Sequence, residues 1–350
     1  MATLTALATA LPPHVITQRQ VIDGARRVFA ARSDAFERLA PAFDNAGVET
    51  RHSCVPLEWY LEPHGWPDRN ALFLRHAVDL LAKAATRCLE RAGLAPADVD
   101  ALVVACSTGI ATPSLDAHLM ERLPFRRDVM RLPIFGLGCA GGVLGLARAA
   151  AMARAMPGAR VLFLVVELCG LTFRQGDLRK SNMIATALFG DGAAAALIED
   201  GAAVDTRAEL ATILAWGEHT WPDSLDIMGW TIEDDGLGVL FSRHIPTLVQ
   251  TRMRAQADRF LATHGLSLAD LDGVICHPGG AKVIAALAQA FDLPDGALDA
   301  ESEVLRHHGN MSAVTVLFVL DRRLREGASG RHLVTALGPG FTAGFLLIDL

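Results

Sequence analysis

Gly93-Leu-Ala-Pro-Ala-Asp-Val-Asp100 recurs as Gly265-Leu-Ser-Leu-Ala-Asp-Leu-Asp272, at an offset of 172 (265 − 93). Each copy runs into a short apolar segment, Ala101 to Ala105 and Gly273 to Cys276. Each segment ends in a small or polar loop, Cys106-Ser-Thr-Gly109 and His277-Pro-Gly-Gly280. The same offset carries Gly158, ahead of the apolar run Arg160 to Val166, onto Gly330, ahead of His332 to Leu337. It carries Gly138 onto Asn310, and the helical stretches that follow, Val143 to Met156 and Ala313 to Glu326, also correspond. Chance matches single apolar segments; matched glycines and a matched Ala-Asp-x-Asp at one offset point to an internal duplication. Helix and strand periods alternate within each copy, which predicts an α/β fold of mostly parallel sheets covered by helices. The halves are expected to span residues 1–205 and 206–350. Active sites in such sheets gather at strand ends, so loops from both halves can meet in one crevice.

Bulk composition narrows the function. The chain has 350 residues, 51% of them hydrophobic, enough for a substantial core. Its net charge is −7 with no Lys/Arg block, which argues against a nucleic-acid binder. Cys54, Cys88, Cys106, Cys139, Cys169 and Cys276 show no CxxC spacing, as expected in a reducing cytoplasm and not in a disulfide scaffold or a metal site. No apolar run reaches the length of a membrane span. The apolar start lacks a basic flank and meets Pro12-Pro13 at once, so it reads as a first strand and not a signal peptide.

Cys139 lies in Gly136-Leu-Gly-Cys-Ala-Gly-Gly142, between the apolar run Met130 to Phe135 and the helical stretch from Val143. A thiol at a helix N-terminus is expected to have a lowered pKa and to act as a nucleophile, and the glycines let a substrate approach. The alternative is an inert core cysteine. His277 ends a strand and precedes Pro278-Gly-Gly280, so it can point into a cleft; the alternative is a satisfied structural histidine. Asn310, in Gly309-Asn-Met-Ser312, can cap the next helix or donate its amide to a developing oxyanion. Cys, His and Asn together suit acyl transfer through a thioester. The turns Gly190-Asp-Gly192 and Gly338-Pro-Gly340 are too short to suggest nucleotide binding.

With these residues in place the chain resembles the type III polyketide synthases, chalcone-synthase-like condensing enzymes of the thiolase fold. The resemblance rests on Gly138-Cys-Ala-Gly-Gly142, Glu167 to Arg174 (ELCGLTFR), Ala187 to Ala193 (ALFGDGA), Trp230 to Pro246, His277-Pro-Gly-Gly280, Gly309 to Ala313 and Gly338-Pro-Gly-Phe-Thr342. It implies a homodimer of duplicated αβαβα subunits with two mixed, mostly parallel sheets. It implies iterative decarboxylative condensation of malonyl-CoA onto an acyl-CoA starter, with CoA thioesters as substrates and no cofactor or metal. Cys139 would carry the acyl chain. His277 would keep it ionised and, with Asn310, stabilise the enolate left by decarboxylation. Phe189 matches a gatekeeper between CoA tunnel and cavity. Cys169, Thr172 and Ser312 match cavity-lining positions, and Gly338, Pro339 and Gly340 a loop that shapes the cavity.

The chain departs from the plant members of that family at several points. A second gatekeeper aromatic aligns with Val239, or with its neighbour Phe241. A cavity glycine aligns with Trp230. Thr112 stands where a methionine enters the partner subunit's cavity. Arg38, Arg51 and Gly280 are the candidates for holding CoA. These departures suggest a non-plant cavity, with a fatty acyl starter and an alkylresorcinol or alkylpyrone product. Two other readings are a single-condensation enzyme like ketoacyl-acyl-carrier-protein synthase III, and a Cys-His-Asn hydrolase, which lacks the protease flanks around Cys139.

Overall fold

The duplicated turns fold alike. Gly93 and Gly265 both take left-handed conformations, φ 65° and 70°, which glycine adopts without the penalty a Cβ brings. The Ala95 and Ser267 N–H groups donate to Asp98 and Asp270, each at 2.8 Å. The Arg160 N–H donates to Asp100 at 2.9 Å, and the Arg331 N–H to Asp272 at 2.7 Å. Each aspartate thus ties the start of one strand to the start of another.

The structure, a computed structural model, describes residues 1–29, 35–200 and 209–350. Its strands are β1 (Ala2–Ala10), β2 (His14–Thr17), β3 (Thr50–Ser53), β4 (Ala101–Cys106), β5 (Met130–Phe135), β6 (Arg160–Leu168), β7 (Asp191–Asp200), β8 (Ala211–Thr220), β9 (Met228–Glu233), β10 (Gly236–Phe241), β11 (Gly273–Cys276), β12 (Arg331–Gly338) and β13 (Thr342–Asp349). Nine form one sheet in the order β5-β4-β6-β7-β1-β8-β13-β12-β11. Read outward from the β1–β8 pair, the order is the same on both sides: β7, β6, β4 matches β13, β12, β11. Strand directions match too, since β4–β6 and β11–β12 are parallel while the next pairs inward are antiparallel. The duplication is therefore a pseudo-two-fold. Only β5 lacks a counterpart among the described residues.

Two details differ from the expectation of two mostly parallel sheets. Ala2–Leu4 pair with Ala211–Ile213 and join the halves into one sheet. Five of its eight pairings are antiparallel. The reason is connection length. Three residues, Pro339 to Phe341, join β12 to β13, and a parallel neighbour needs a long crossover. The expected boundary between residues 205 and 206 lies outside the described residues.

Both faces of the sheet are buried, so its strands read as continuous apolar runs. Val161, Phe163 and Val165 of β6 face one core cluster, and Leu162, Leu164 and Val166 face another. The first cluster includes helices Gly141–Ala155 and Thr315–Arg325, which sit between the two half-sheets. Helix Trp66–Ala92 covers the outer face of the first half, and helices Ile245–Ala262 and Ala281–Ala290 that of the second. The layers run helix, sheet, helix, sheet, helix. The inner helices approach so closely that a Cβ on Gly142 would lie 2.2 Å from the Ala313 carbonyl oxygen.

Candidate active site

Cys139 sits in a single tight turn, Gly138–Ala140, between β5 and helix Gly141–Ala155. Gly138 has φ 48°, and a Cβ there would lie 2.5 Å from the Pro339 ring. Gly338 in turn presses on the Leu137 carbonyl. The Gly338–Gly340 loop therefore backs the Cys139 turn, and Pro339 reaches the cavity beside Cys139. Gly340 lies behind it, with its carbonyl accepting from Ser224 Oγ at 2.7 Å.

His277 continues the β11 ladder by donating its N–H to Thr335 O at 2.9 Å. Its ring is buried and both ring nitrogens lack a hydrogen-bond partner among the described residues. A buried polar group left unpaired is costly, so these nitrogens await a partner in the cavity. Asn310 is fully buried and held from four directions. Its N–H donates to Leu188 O and its carbonyl accepts from Gly190 N. Its Oδ1 accepts from Ser312 N at 2.8 Å, and Nδ2 donates to Gly279 O at 3.1 Å. An amide NH₂ carries two donors, so one remains free. Its side chain holds the Ser312 N–H but does not cap helix Thr315–Arg325, whose N-cap is Val314, so the capping reading is not realised. Ser312, at φ 48°, holds the strained left-handed conformation that non-glycine residues adopt mainly where structure around them dictates it.

Four spaces follow one another through shared walls. A cation-rimmed mouth and a pocket lined by Cys139, His277 and Asn310 share Phe241, Ile245, Gly279 and Val283. That pocket shares Cys139, Met228 and Phe241 with a cavity reaching Ser107, Trp230 and Ser312. The cavity shares Cys169, Phe189 and Val239 with a deeper apolar pocket, walled by Thr172, Val21, Gly24 and Ala25. Cys139 thus stands midway. Phe189 packs edge-on to Trp230 (centroids 6.2 Å) and faces the two inner spaces. Phe241, not Phe189, lines the mouth.

Burial governs the charges here. It pushes the Cys139 thiol up to about 12, against a hydrogen bond from Ser312 and with the Glu167 charge. It pulls His277 down to about 4. The resting thiol is therefore raised and not lowered as expected from sequence, because loss of hydration outweighs the hydrogen bonds from Ser312 and the backbone. A thiolate and an imidazolium side by side would offset each other's loss of water.

Other expected residues fall elsewhere. Arg51 is not at the mouth. It is buried, and donates to Thr186 O (2.7 Å), Phe189 O (2.9 Å), Ala187 O (2.9 Å) and the Gln18 side chain, capping helix Lys180–Leu188. Four of its five guanidinium donors are engaged and the fifth, on Nε, is buried, so none is presented at the mouth. Arg38 does line the mouth, with Gly280. Thr112 is exposed and lines none of the four spaces. Lys180, Arg243 and Lys282, which motif reading passed over, join Arg38 there, with no carboxylate in the lining among the described residues. Glu167 was also missed. It is fully buried and accepts from Ser107 N, Ser107 Oγ and Thr108 Oγ1 between 2.7 and 3.1 Å, with Ser312 Oγ at 3.5 Å. Burial raises its pKa to about 7. A lone acid ending the run Val161 to Val166 was the signal.

Comparison with known proteins covers the whole chain. Residues 1–202 match the model of the chalcone and stilbene synthase N-terminal domain, and residues 215–349 that of the C-terminal domain. A 1,3,6,8-tetrahydroxynaphthalene synthase of Streptomyces peucetius subsp. caesius is 40% identical over 98% of this chain and 92% of its own. A putative chalcone synthase of Bacillus subtilis is 38% identical over 100% and 99%. The crystal structure of the Streptomyces coelicolor tetrahydroxynaphthalene synthase, a bacterial type III polyketide synthase, superimposes with a TM-score of 0.93 at 29% identity, covering 99% of both chains.

Proposed function

The chain belongs to the chalcone and stilbene synthase family, the type III polyketide synthases, and from that membership we propose how its own residues carry the chemistry. It is a malonyl-CoA-dependent acyltransferase that condenses malonyl units into a polyketide. Cys139 passes its proton to His277, and the thiolate attacks the starter thioester. The tetrahedral oxyanion collapses, forming the Cys139 thioester, and CoA leaves as a thiol with that proton. Malonyl-CoA then loses CO₂, and its enolate oxygen accepts hydrogen bonds from a neutral His277 N–H and the free Asn310 Nδ2 donor. The enolate carbon attacks the Cys139 thioester and expels the thiolate, leaving the chain two carbons longer on CoA. Return to Cys139 starts the next round. The observation that carries this reading is His277: both its nitrogens are buried and unpaired in the pocket that also holds Cys139 and Asn310.

CoA phosphates are proposed to lie among Arg38, Lys180, Arg243 and Lys282, beside Gly280 at the N-terminus of helix Ala281–Ala290, where backbone N–H groups favour anions. The starter is proposed to be a fatty acyl group. The apolar pocket past Cys169, Phe189 and Val239 supports this, since it offers Val21, Gly24 and Ala25 to an alkyl tail. A compact aromatic product, as named for the Streptomyces relatives, is the second reading; Trp230 favours it by filling the cavity beside Phe189. Incubation with malonyl-CoA and a panel of acyl-CoA starters, products resolved by mass, separates them. Products carrying the long chain plus two or more acetate units are expected. Products formed from malonyl-CoA alone, with long-chain starters ignored, would establish the second reading. No helix among the described residues is long and apolar enough to cross a membrane. All six cysteines are free, which supports a reducing, cytoplasmic setting. A homodimer across the outer edge of β5, where Met130 and Phe135 are exposed, completes the proposal, to be checked by light scattering.

A further inference from the structure

The hairpin β9–β10 forms one wall of the cavity and the mouth, through Met228, Trp230, Val239 and Phe241. Its two strands pair only with each other among the described residues. No sheet hydrogen bond fixes where this wall stands relative to Cys139. Its tip is instead gripped by charges. Arg174 Nε donates to Asp235 Oδ1 at 2.5 Å, and Arg179 Nη2 to Glu233 Oε1 at 3.0 Å. Both arginines also bind Asp177, whose side chain is only 4% exposed, at 3.1 and 2.7 Å. Asn182 ties that loop to helix Lys180–Leu188 by donating to Arg174 O and Asp177 O. The same helix leads directly into Phe189, which faces Trp230 from the other side of the cavity.

We propose that the clasp from Arg174 and Arg179 to Glu233 and Asp235 positions the hairpin against Phe189 and so sets which acyl chain lengths pass the Cys169–Phe189–Val239 constriction. These four are positioning residues, since none of them lines the pocket or the cavity that holds Cys139. Released from its tip, the hairpin keeps its own ladder but can swing Trp230 and Val239 outward together. Partly exposed ion pairs are individually weak, so the clasp is suited to holding a position and less to holding the fold together. The consequence for product length rests on the condensation reading above. The consequence for access to Cys139 does not.

The test uses the double variant Glu233→Gln with Asp235→Asn, beside the conservative Asp235→Glu. One readout is alkylation of Cys139, followed by peptide mass, with iodoacetamide and with a long-chain N-alkylmaleimide. The other is product mass from a starter ladder. In the double variant the maleimide-to-iodoacetamide rate ratio is expected to rise severalfold, and longer starters to be accepted. Turnover of the best wild-type starter is expected to stay within about twofold, and Asp235→Glu to behave as wild type. An unchanged ratio overturns the proposal. So does an equal fall in both alkylation rates and turnover with a lowered Tm, which is the signature of a merely structural role. Should the double variant not fold, the wild type in about 1 M salt, where screening acts within about 3 Å, must show the same rise, and a flat ratio there overturns the proposal. A raised ratio without any condensation by the wild type would sink the synthase reading and leave the clasp standing.

Discussion

In the first half of the molecule Glu167 holds the end of β4 by accepting the Ser107 N–H at 3.1 Å; in the second, Glu301 holds the end of β11 by accepting the Cys276 N–H at 2.9 Å. Both carboxyls are fully buried, and burial raises both to about 7. Each fastens the backbone where a site loop leaves its strand. Their other partners differ. Glu301 faces Arg323 at 3.3 Å, whereas Glu167 is surrounded by the hydroxyls of Ser107, Thr108 and Ser312. A guanidinium beside Glu167 would place a fixed positive charge next to the thiol; hydroxyls can turn as its charge changes. The two halves therefore share a way of anchoring a loop, and only the half holding the nucleophile leaves its anchor without a cation.

The comparison breaks first at the reacting groups. Cys139→Ala is expected to lower malonyl-CoA condensation by at least about three orders of magnitude. His277→Ala and Asn310→Ala are each expected to lower malonyl-CoA decarboxylation by about two to three orders. The pH dependence separates the first two roles. With His277 accepting the proton, thiolate forms at a lower pH than burial alone would allow. Without it, the thiol returns towards the high value burial sets, so alkylation of Cys139 in His277→Ala should fall at pH 8 and its midpoint move up. A midpoint that stays put would assign the activation to some other group.

The paired carboxyls come next. A folded-state pKa above the ordinary carboxyl value means that the folded protein holds the proton more tightly. That contribution to stability is full below about pH 4.5 and is lost as pH rises through about 7. Replacing either acid by Gln should therefore narrow the drop in Tm between pH 5 and pH 8. Only Glu167→Gln is expected to change the rate of Cys139 acylation as well, because only it touches Ser312. Equal activity in the two Gln variants would erase the distinction between the anchors. The smallest effect tests the shared scaffold: Asp98→Ala and Asp270→Ala should each lower Tm slightly and alike in thermal melts.

What was legible in the sequence was local or repeated. Gly93 and Gly265, Asp98 and Asp270 impose turns on their immediate neighbours, so one offset exposed the duplication and the strands that follow, β4 and β11. Cys139, His277 and Asn310 were found because their glycine-bearing loops follow or flank predicted strands. The β1–β8 seam was not legible, since it joins residues some two hundred positions apart through three pairs of small and apolar side chains. The mouth was hidden for the same reason: Arg38, Lys180, Arg243 and Lys282 come from four distant segments. Arg51 was misplaced because a charge in a sequence does not say whether its donors are already engaged. Glu167 was legible in principle, because an acid closing an apolar strand must find partners.

The order of the four spaces also decides how the reaction is counted. In the proposed reaction carbons are added at the Cys139 thioester, on the side that faces the mouth, so each round would drive the older end further towards Gly24 and Ala25. The far wall meets the growing chain before the nucleophile can register any change in length. Product size is then a matter of partition, between another extension and release, that shifts as the remaining room closes. A residue on helix Gln18–Phe29 that never approaches the chemistry can set the number of rounds and leave the speed of each round untouched.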